Sequence, residues 1–553
     1  MNYDIILITG DADIDHPAFG VPLLARFLSD KGFKVGIIAQ PQTEEDYKSL
    51  GRPNYFFGIS SGNVDSMVNH YTAQRKIRSE DAFTPNREFG KRPDKAVLVY
   101  TQKVKQFFKN ITVVIGGVEA SMRRIPHYDF ISDKVKNSII IDSKADILVY
   151  GNGERQILEL AEMFKMNSKV PKPAYKINGT CVYTKDKPDN GLELPIADFF
   201  TMTKFFIENY QTKILYYEYN NRYLVHYPPA KPLSQQEIDA IYNLPFTREP
   251  NKKYKGKFIK AFEQIKYSVL SHRGCYGGCS FCMIGMHQGK TIQSRSKESI
   301  KNEVEQISKK SYYKGTITDV AGATANMYGT YCKAKASITC PKRSCLYPDI
   351  CENLVTNEKP YLSLLADISA NDVFISSGVR FDLALVQPDL IRKLASNYTS
   401  GLLKLAPEHV SNNVLQKMYK PSIDKYLKFT QIYLDISKKL EKKQFIIPYL
   451  IVGFPGSTLQ DALELALFLK NNNLRIDQVQ EFTPTPMTIA TMMYYTGKDY
   501  ETGEKIFVPK GREIRLQKAL AQWYIKSNSK LVAEALEKLG RRNDLYSYFL
   551  KKS

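Results

Sequence analysis

Short apolar runs, each followed by a turn and an amphipathic stretch, recur along most of this 553-residue chain. The pattern leaves few folds open. A strand apolar on both faces needs helices on both sides of its sheet. Runs at 4–9, 35–38, 55–60, 112–117 and 146–150 predict parallel strands. Helical periodicity lies between them, as at 17–31, where Leu23, Leu24, Phe27 and Leu28 form a stripe closed by Gly32. A doubly wound parallel sheet over 1–195 is expected. Its ligand crevice belongs at the strand ends, near 10–20, 60–63, 116–117 and 151–154. Residues 196–265, broken by Pro228, Pro229, Pro232 and Pro245, read as a connector. Strands at 267–271, 316–321, 373–377, 402–406, 445–452 and 479–482 then predict a partial (β/α)6 barrel over 266–500. Its chemistry belongs at the C-terminal ends of those strands. Residues 501–553 form a small helical extension carrying the only tryptophan, Trp523.

Seven of the eight cysteines fall between residues 275 and 351. Three of them, Cys275, Cys279 and Cys282, have the spacing C-x3-C-x2-C, with Phe281 directly before the last. Thiolates so placed can wrap one corner of a cubane iron–sulfur cluster. Such a cluster takes four protein ligands, so three leave one iron open to an amine and a carboxylate. The competing reading is a zinc knuckle completed by His272 or His287, although zinc sites pair their cysteines as C-x2-4-C with a second, distant pair. Cys332, Cys340, Cys345 and Cys351 follow in an insertion at 330–360. Four clustered thiols are too many for packing alone. The set suits an auxiliary iron–sulfur cluster or a structural zinc, and a redox-labile loop is the third alternative. Cys181 stands alone, as a buried thiol.

Hydrophobic content of 43% and aromatic content of 12% exclude a disordered chain, and the length predicts two or three domains. No apolar stretch is long enough to cross a bilayer. Asp4 and Asp11 flank the first apolar run, unlike a secretory signal. Few cysteines for the length, most of them clustered, point to metal-bound thiolates in a reducing cytoplasm rather than disulfides. The net charge of +21 raises the question of an anionic partner. The lysines are scattered, however, and the densest patch, at 252–260, reads first as solvated surface. Nucleic acid is therefore the less favoured partner.

The Cys-x3-Cys-x-Phe-Cys spacing resembles the signature of the radical S-adenosylmethionine (radical SAM) superfamily, and the wider stretch 271–290 resembles its YgiQ-like family. The resemblance implies a [4Fe–4S] cluster on Cys275, Cys279 and Cys282 with SAM on the open iron. Reduction, by a protein such as flavodoxin or ferredoxin, then breaks the sulfonium C5′–S bond. The resulting 5′-deoxyadenosyl radical abstracts hydrogen from a substrate that the family does not specify. Residues 115–117 and 145–154 are similar to the glycine signatures of the cobalamin-binding-like domain placed ahead of many such barrels. The cobalt-ligating pattern D-x-H-x-x-G is absent, since Asp15 directly precedes His16, and His16 reads as a loop histidine. With cobalamin, methyl transfer would be implied; with an auxiliary cluster, sulfur insertion or electron relay.

The same resemblance implies roles at the strand ends. Gly322 and Thr324 lie in the turn whose backbone meets the methionine amine, with Ala321 where relatives carry a leading glycine. Arg380 would fork onto the SAM carboxylate. Glu408, followed by His409, would bind the ribose hydroxyls, and Gly453 opens the adenine-side turn. The sixth strand runs into a MiaB-like segment at 483–486. Phe281 would shield the cluster and offer its face to adenine. Against these roles stands an ordinary ion-pair network for Arg380, Glu408 and His409. Against the enzyme as a whole stands an RNA- or nucleotide-binding module in which the metals are structural.

Overall fold

A computed structural model describes residues 2–167, 176–334 and 339–550. Residues 168–175, 335–338 of the Cys-rich insertion and 551–553 of the C-terminal extension lie outside the description. Five parallel strands form the N-terminal sheet, in the spatial order Val35–Ala39, Ile5–Thr9, Phe56–Ser60, Thr112–Gly116, Ile147–Val149. Alternation along the first strand explains the layering. Ile6 and Ile8 enter one core and Ile5 and Leu7 the other. Helix Ala96–Phe107 covers the first core with Val97, Tyr100 and Val104. Helices Gly20–Asp30 and Glu154–Met166 cover the second with Leu28, Ile157 and Leu160.

The sheet does not stop where the prolines predict a connector. Strand Thr180–Thr184 joins antiparallel to Ile147–Val149, and Ile214–Tyr219 with Arg222–His226 adds a hairpin beyond it. With Gly191–Glu193 at the edge, the sheet has nine strands among the described residues. The correction has a local cause. Asn220 and Asn221 take φ of 49° and 56°, the left-handed pair of a tight hairpin turn. Pro228 and Pro229 fall after the last strand and break nothing.

The second half builds the expected open barrel. Ser268–Leu270 pairs with Asp319–Ala321, and Thr316–Ile317 with Asp372–Val373, both in parallel. Val379 bridges Leu405 in the same sense, and Leu402–Glu408, Phe445–Val452 and Gln480–Glu481 complete the series. The third strand is shorter than its apolar run. The backbone N–H groups of Ser376 and Ser377 turn to donate to Asp319 Oδ1, at 2.9 and 3.1 Å. Helices Arg512–Ala521, Ser529–Lys538 and Arg542–Leu550 pack with Leu459–Asn471 around Leu516, Val532 and Phe549. Among the described residues no helix is long and apolar enough to cross a membrane.

Several buried contacts set the halves face to face. Met283, at the end of the cysteine loop, and Met487 pack into the core of the N-terminal sheet. The guanidinium of Arg273 pairs with Glu154 and donates to Tyr242 Oη at 3.0 Å, both contacts buried. The carboxyl ends of the N-terminal strands therefore look onto the cysteine loop.

Candidate functional site

The cysteine loop is closed at its base by an antiparallel pair, His272–Arg273 against Gln293–Ser294. Gly274 has φ +92°, and a Cβ there would run into the carbonyl of Thr291, so the loop can begin its turn only with glycine. Backbone bonds hold the thiols: Cys275 N–H donates to Gly289 O (3.1 Å) and Cys282 N–H to Cys279 O (3.1 Å). Ser280 ties the loop to the end of helix Asn412–Met418, which follows the fourth barrel strand, through its N–H to Met418 O (3.1 Å) and its hydroxyl to Lys417 O (2.7 Å). The three thiols thus sit at the C-terminal mouth of the barrel. Burial raises the Cys275 thiol and, with Cys279 beside it, pushes Cys282 up to about 12.

Arg380 reaches this group of sulfurs. Its Nη1 lies 3.3 Å from Cys279 Sγ and its Nε 2.9 Å from Asp382 Oδ1. The fork expected on a SAM carboxylate is therefore taken up by Asp382, which turns the guanidinium toward the thiols. Asn326 fixes the backbone of Arg380, accepting its N–H at 3.0 Å and donating to its carbonyl at 3.1 Å. Thr324 Oγ1 stands 3.9 Å from Cys275 Sγ. A Cβ on Gly322 would overlap the carbonyl of His272 and lie 2.7 Å from its Nε2. His272 is fully buried, and burial lowers its pKa to about 4, so the ring is neutral.

Glu408 ends the fourth strand with φ +70°. Burial raises its carboxyl, Lys420 Nζ stands 3.9 Å away, and its charge acts on Cys282. His409 turns elsewhere: its Nδ1 accepts from Ser411 N at 3.1 Å, and burial holds it neutral at about 4. Gly453, at φ +73°, donates its N–H to Gln517 Oε1 at 2.9 Å under helix Arg512–Ala521. The next residue, Phe454, meets the half-buried Phe281 edge to face, with ring centroids 6.3 Å apart.

The insertion leans on the same loop. Cys345 N–H donates to Tyr276 O (3.0 Å) and Ser344 Oγ to Gly277 O (2.8 Å). Cys351 N–H donates to Cys345 O (2.9 Å), and Cys332 lies opposite Leu354 in a short ladder. Burial, with Cys351 nearby, pushes the Cys345 thiol up to about 11. Among the described residues no three His, Cys, Asp or Glu side chains stand at the spacing of one bound ion. A polynuclear cluster asks for something wider, because each thiolate binds a separate iron.

Facing the loop is a crevice of about 480 Å³ at the N-terminal strand ends, where the strand pattern places it. Gly62, Gly116, Gly117, Gly151 and Gly153 line one wall, and Arg273, Ile284, His287 and Gln288 the other. A Cβ on Gly117 (φ +79°) would strike Ser60 Oγ. His16 does not reach this space. It lies in a loop, as the sequence pattern has it, and is buried there, with Nδ1 accepting from Ala18 N (3.0 Å) and Nε2 against Arg248 Nη2 (2.8 Å). His287, weighed from the sequence only as a zinc ligand, lies on the crevice with Nδ1 3.0 Å from Ser121 Oγ. Asp382, Asn326 and the Arg273–Glu154 pair were not assigned by the sequence pattern. For Asp382 a signal existed, an acid two residues beyond a strand-end arginine.

The radical SAM N-terminal family matches residues 1–268, the radical SAM superfamily 269–469, and a domain of unknown function 477–549. A UPF0313 protein of Geobacter sulfurreducens is 45% identical, over 98% of this chain and 93% of that protein. One from Clostridium botulinum (strain Okra / Type B1) is 43% identical, over 98% and 88%. UPF0313 protein YgiQ of Escherichia coli (strain K12) is 40% identical, over 98% and 84%. Among solved structures, the apo form of the cobalamin-dependent S-adenosylmethionine radical enzyme OxsB is similar. It has a TM-score of 0.51 at 13% identity, covering 99% of this chain and 70% of that one. The form of OxsB with aqua-cobalamin and S-adenosylmethionine bound has a TM-score of 0.50 at 12% identity, with the same coverage. At that identity the likeness is one of fold, a sheet domain ahead of a radical SAM barrel. With thiol loop and barrel in place, and likeness to these relatives along nearly the whole chain, the protein belongs to the UPF0313 family, which includes YgiQ and carries the radical SAM domains.

Proposed function

We propose that this protein is an enzyme that binds a [4Fe–4S] cluster through Cys275, Cys279 and Cys282, with SAM at the iron those residues leave free. One observation carries the reading. Three half-buried thiols share one loop at the barrel mouth, with the Arg380 guanidinium 3.3 Å from Cys279 Sγ. Thiols raised by burial resist ionising, so a fixed cation beside them favours the thiolate that a metal needs. When bound, cluster and SAM supply a 5′-deoxyadenosyl radical on receiving one electron from an external donor protein of the flavodoxin or ferredoxin type.

The chain's own groups orient and exclude. Gly322 and Thr324, beside Cys275, and Glu408, beside Cys282, are the strand-end groups available to the amine and ribose of SAM. Gly453 shapes the turn that brings Phe454 against Phe281, and the two rings keep water from that side of the loop. Replacing Cys275, Cys279 and Cys282 together by Ala should lower the brown absorbance that the wild type gains on anaerobic reconstitution with iron and sulfide, and abolish SAM cleavage. Reduced wild type should convert SAM to 5′-deoxyadenosine. Absorbance undiminished by the triple replacement, or reconstituted wild type leaving SAM intact, would count against the assignment.

A second reading concerns the crevice. Its glycine wall and its position opposite Arg273 and His287 support a large planar ligand such as cobalamin, held without a ligand from His16. Bound cobalamin would make methyl transfer to carbon available. Hydroxocobalamin co-eluting with the protein on gel filtration is the expected result, and free elution argues against it.

A further inference from the structure

The Cys-rich insertion supplies little core of its own and shares what it has with Tyr276, Met327 and Leu383. Between residues 330 and 360 the buried apolar side chains among those described are Leu346 and Leu354, and its one ladder pairs Tyr331–Cys332 with Leu354–Val355. A loop-rich unit this small is ordinarily held by cross-links or a metal. Its cysteines are free thiols, so disulfides do not hold it.

These thiols are not simply packing residues, although Cys345 and Cys351 lean against the core formed by Tyr276, Met327, Leu346 and Leu354. Cys181 shows what one looks like in this chain, fully buried in the N-terminal core. Cys332, Cys340, Cys345 and Cys351 are each only half-buried. Three of them lie around one cation. Lys290 Nζ donates to the carbonyls of Cys340 and Lys342, and Cys332, Cys340 and Cys345 all act electrostatically on it. Lys342 Nζ stands 3.6 Å from Cys351 Sγ. One lysine near three of the thiols and a second beside the fourth suit a centre with net negative charge, which four thiolates on a metal cluster would have.

We propose that Cys332, Cys340, Cys345 and Cys351 bind a second iron–sulfur cluster, fully coordinated by protein. It would pin the insertion onto the first cluster loop through the Cys345–Tyr276 and Ser344–Gly277 bonds. The inference does not depend on SAM binding. Its test is iron, acid-labile sulfide and zinc measured on anaerobically reconstituted protein.

The C275A/C279A/C282A variant should keep about half the wild-type iron and sulfide, and should lose that remainder when Cys345→Ser is added. Independently, C345S/C351S in the otherwise native chain should lose about half the iron while still cleaving SAM. No iron in the C275A/C279A/C282A variant overturns the proposal, as does zinc in place of iron there, or undiminished iron in C345S/C351S. If C345S/C351S does not fold, the iron content of the C275A/C279A/C282A variant decides alone. Reconstituted wild type that fails to cleave SAM, with half the iron still present in the C275A/C279A/C282A variant, would overturn the first cluster's role and leave this proposal standing.

Discussion

At residue 322 a single methyl group has no room, because the carbonyl and ring of His272 occupy its place. Gly322→Ala should therefore lower stability by about 1–3 kcal/mol, the usual cost of overpacking, read as a drop in the urea midpoint. An unchanged midpoint would mean that the second-strand turn moves freely. Arg380 poses the opposite problem, a loss. Arg380→Ala strands Asp382 buried without its partner, which costs about 3–5 kcal/mol. Adding Asp382→Asn should recover part of that loss in the same denaturation experiment. Arg380→Lys keeps a charge near Cys279 but gives up the fork to Asp382, so its iron retention should lie between wild type and Arg380→Ala. If all three retain iron equally, the guanidinium does not support the thiolates.

At the level of elements, the join between sheet domain and barrel rests on a few buried groups. Arg273 directly precedes the cysteine loop, and Glu154 opens the helix after the Gly151 and Gly153 turn, so their ion pair spans the crevice edge. Glu154→Gln leaves the guanidinium buried and half-satisfied, a loss of about 3 kcal/mol or more. The expected sign in calorimetry is an earlier, broader transition that splits into two as the halves uncouple. One sharp transition at the wild-type temperature would show that other contacts across the join, such as Met283, Met487 and the Tyr128–Tyr495 pair, hold it without the ion pair. The hairpin at 214–226 teaches a related lesson. Its alternating aromatic strands and Asn220-Asn221 turn were legible locally, yet nearby prolines outweighed them until register placed both strands on the sheet.

For the whole molecule, buried histidines give stability a direction in pH. Burial lowers His127 to about 3, and His272 and His409 to about 4, all below the ordinary 6.5. Between about pH 6.5 and 4 the unfolded chain binds protons that the folded chain refuses, so stability falls on acidification. Each histidine contributes up to about 1.4 kcal/mol per pH unit in that window. Asp11, whose carboxyl burial raises to about 6, pulls the other way between about pH 6 and 4, so the net slope is smaller than the sum. The urea midpoint at pH 5 should lie below that at pH 7; an equal or higher midpoint contradicts the balance.

The thiol spacing at 275–282 and the order of strands along both halves could be read from the chain alone, since each depends on residues near one another in sequence. The periodicity that buries Ile5 to Ile8 is local, and so is the glycine that opens the cysteine loop. Other features only tertiary packing decided: that Arg380 serves Cys279, a hundred residues away, with its fork on Asp382; that His16 is sealed against Arg248; and that the crevice looks onto the cluster loop. Local pattern sets which face of a strand is apolar. It does not set which distant charge a buried side chain will find, because that depends on where the whole core places the few groups able to compensate it.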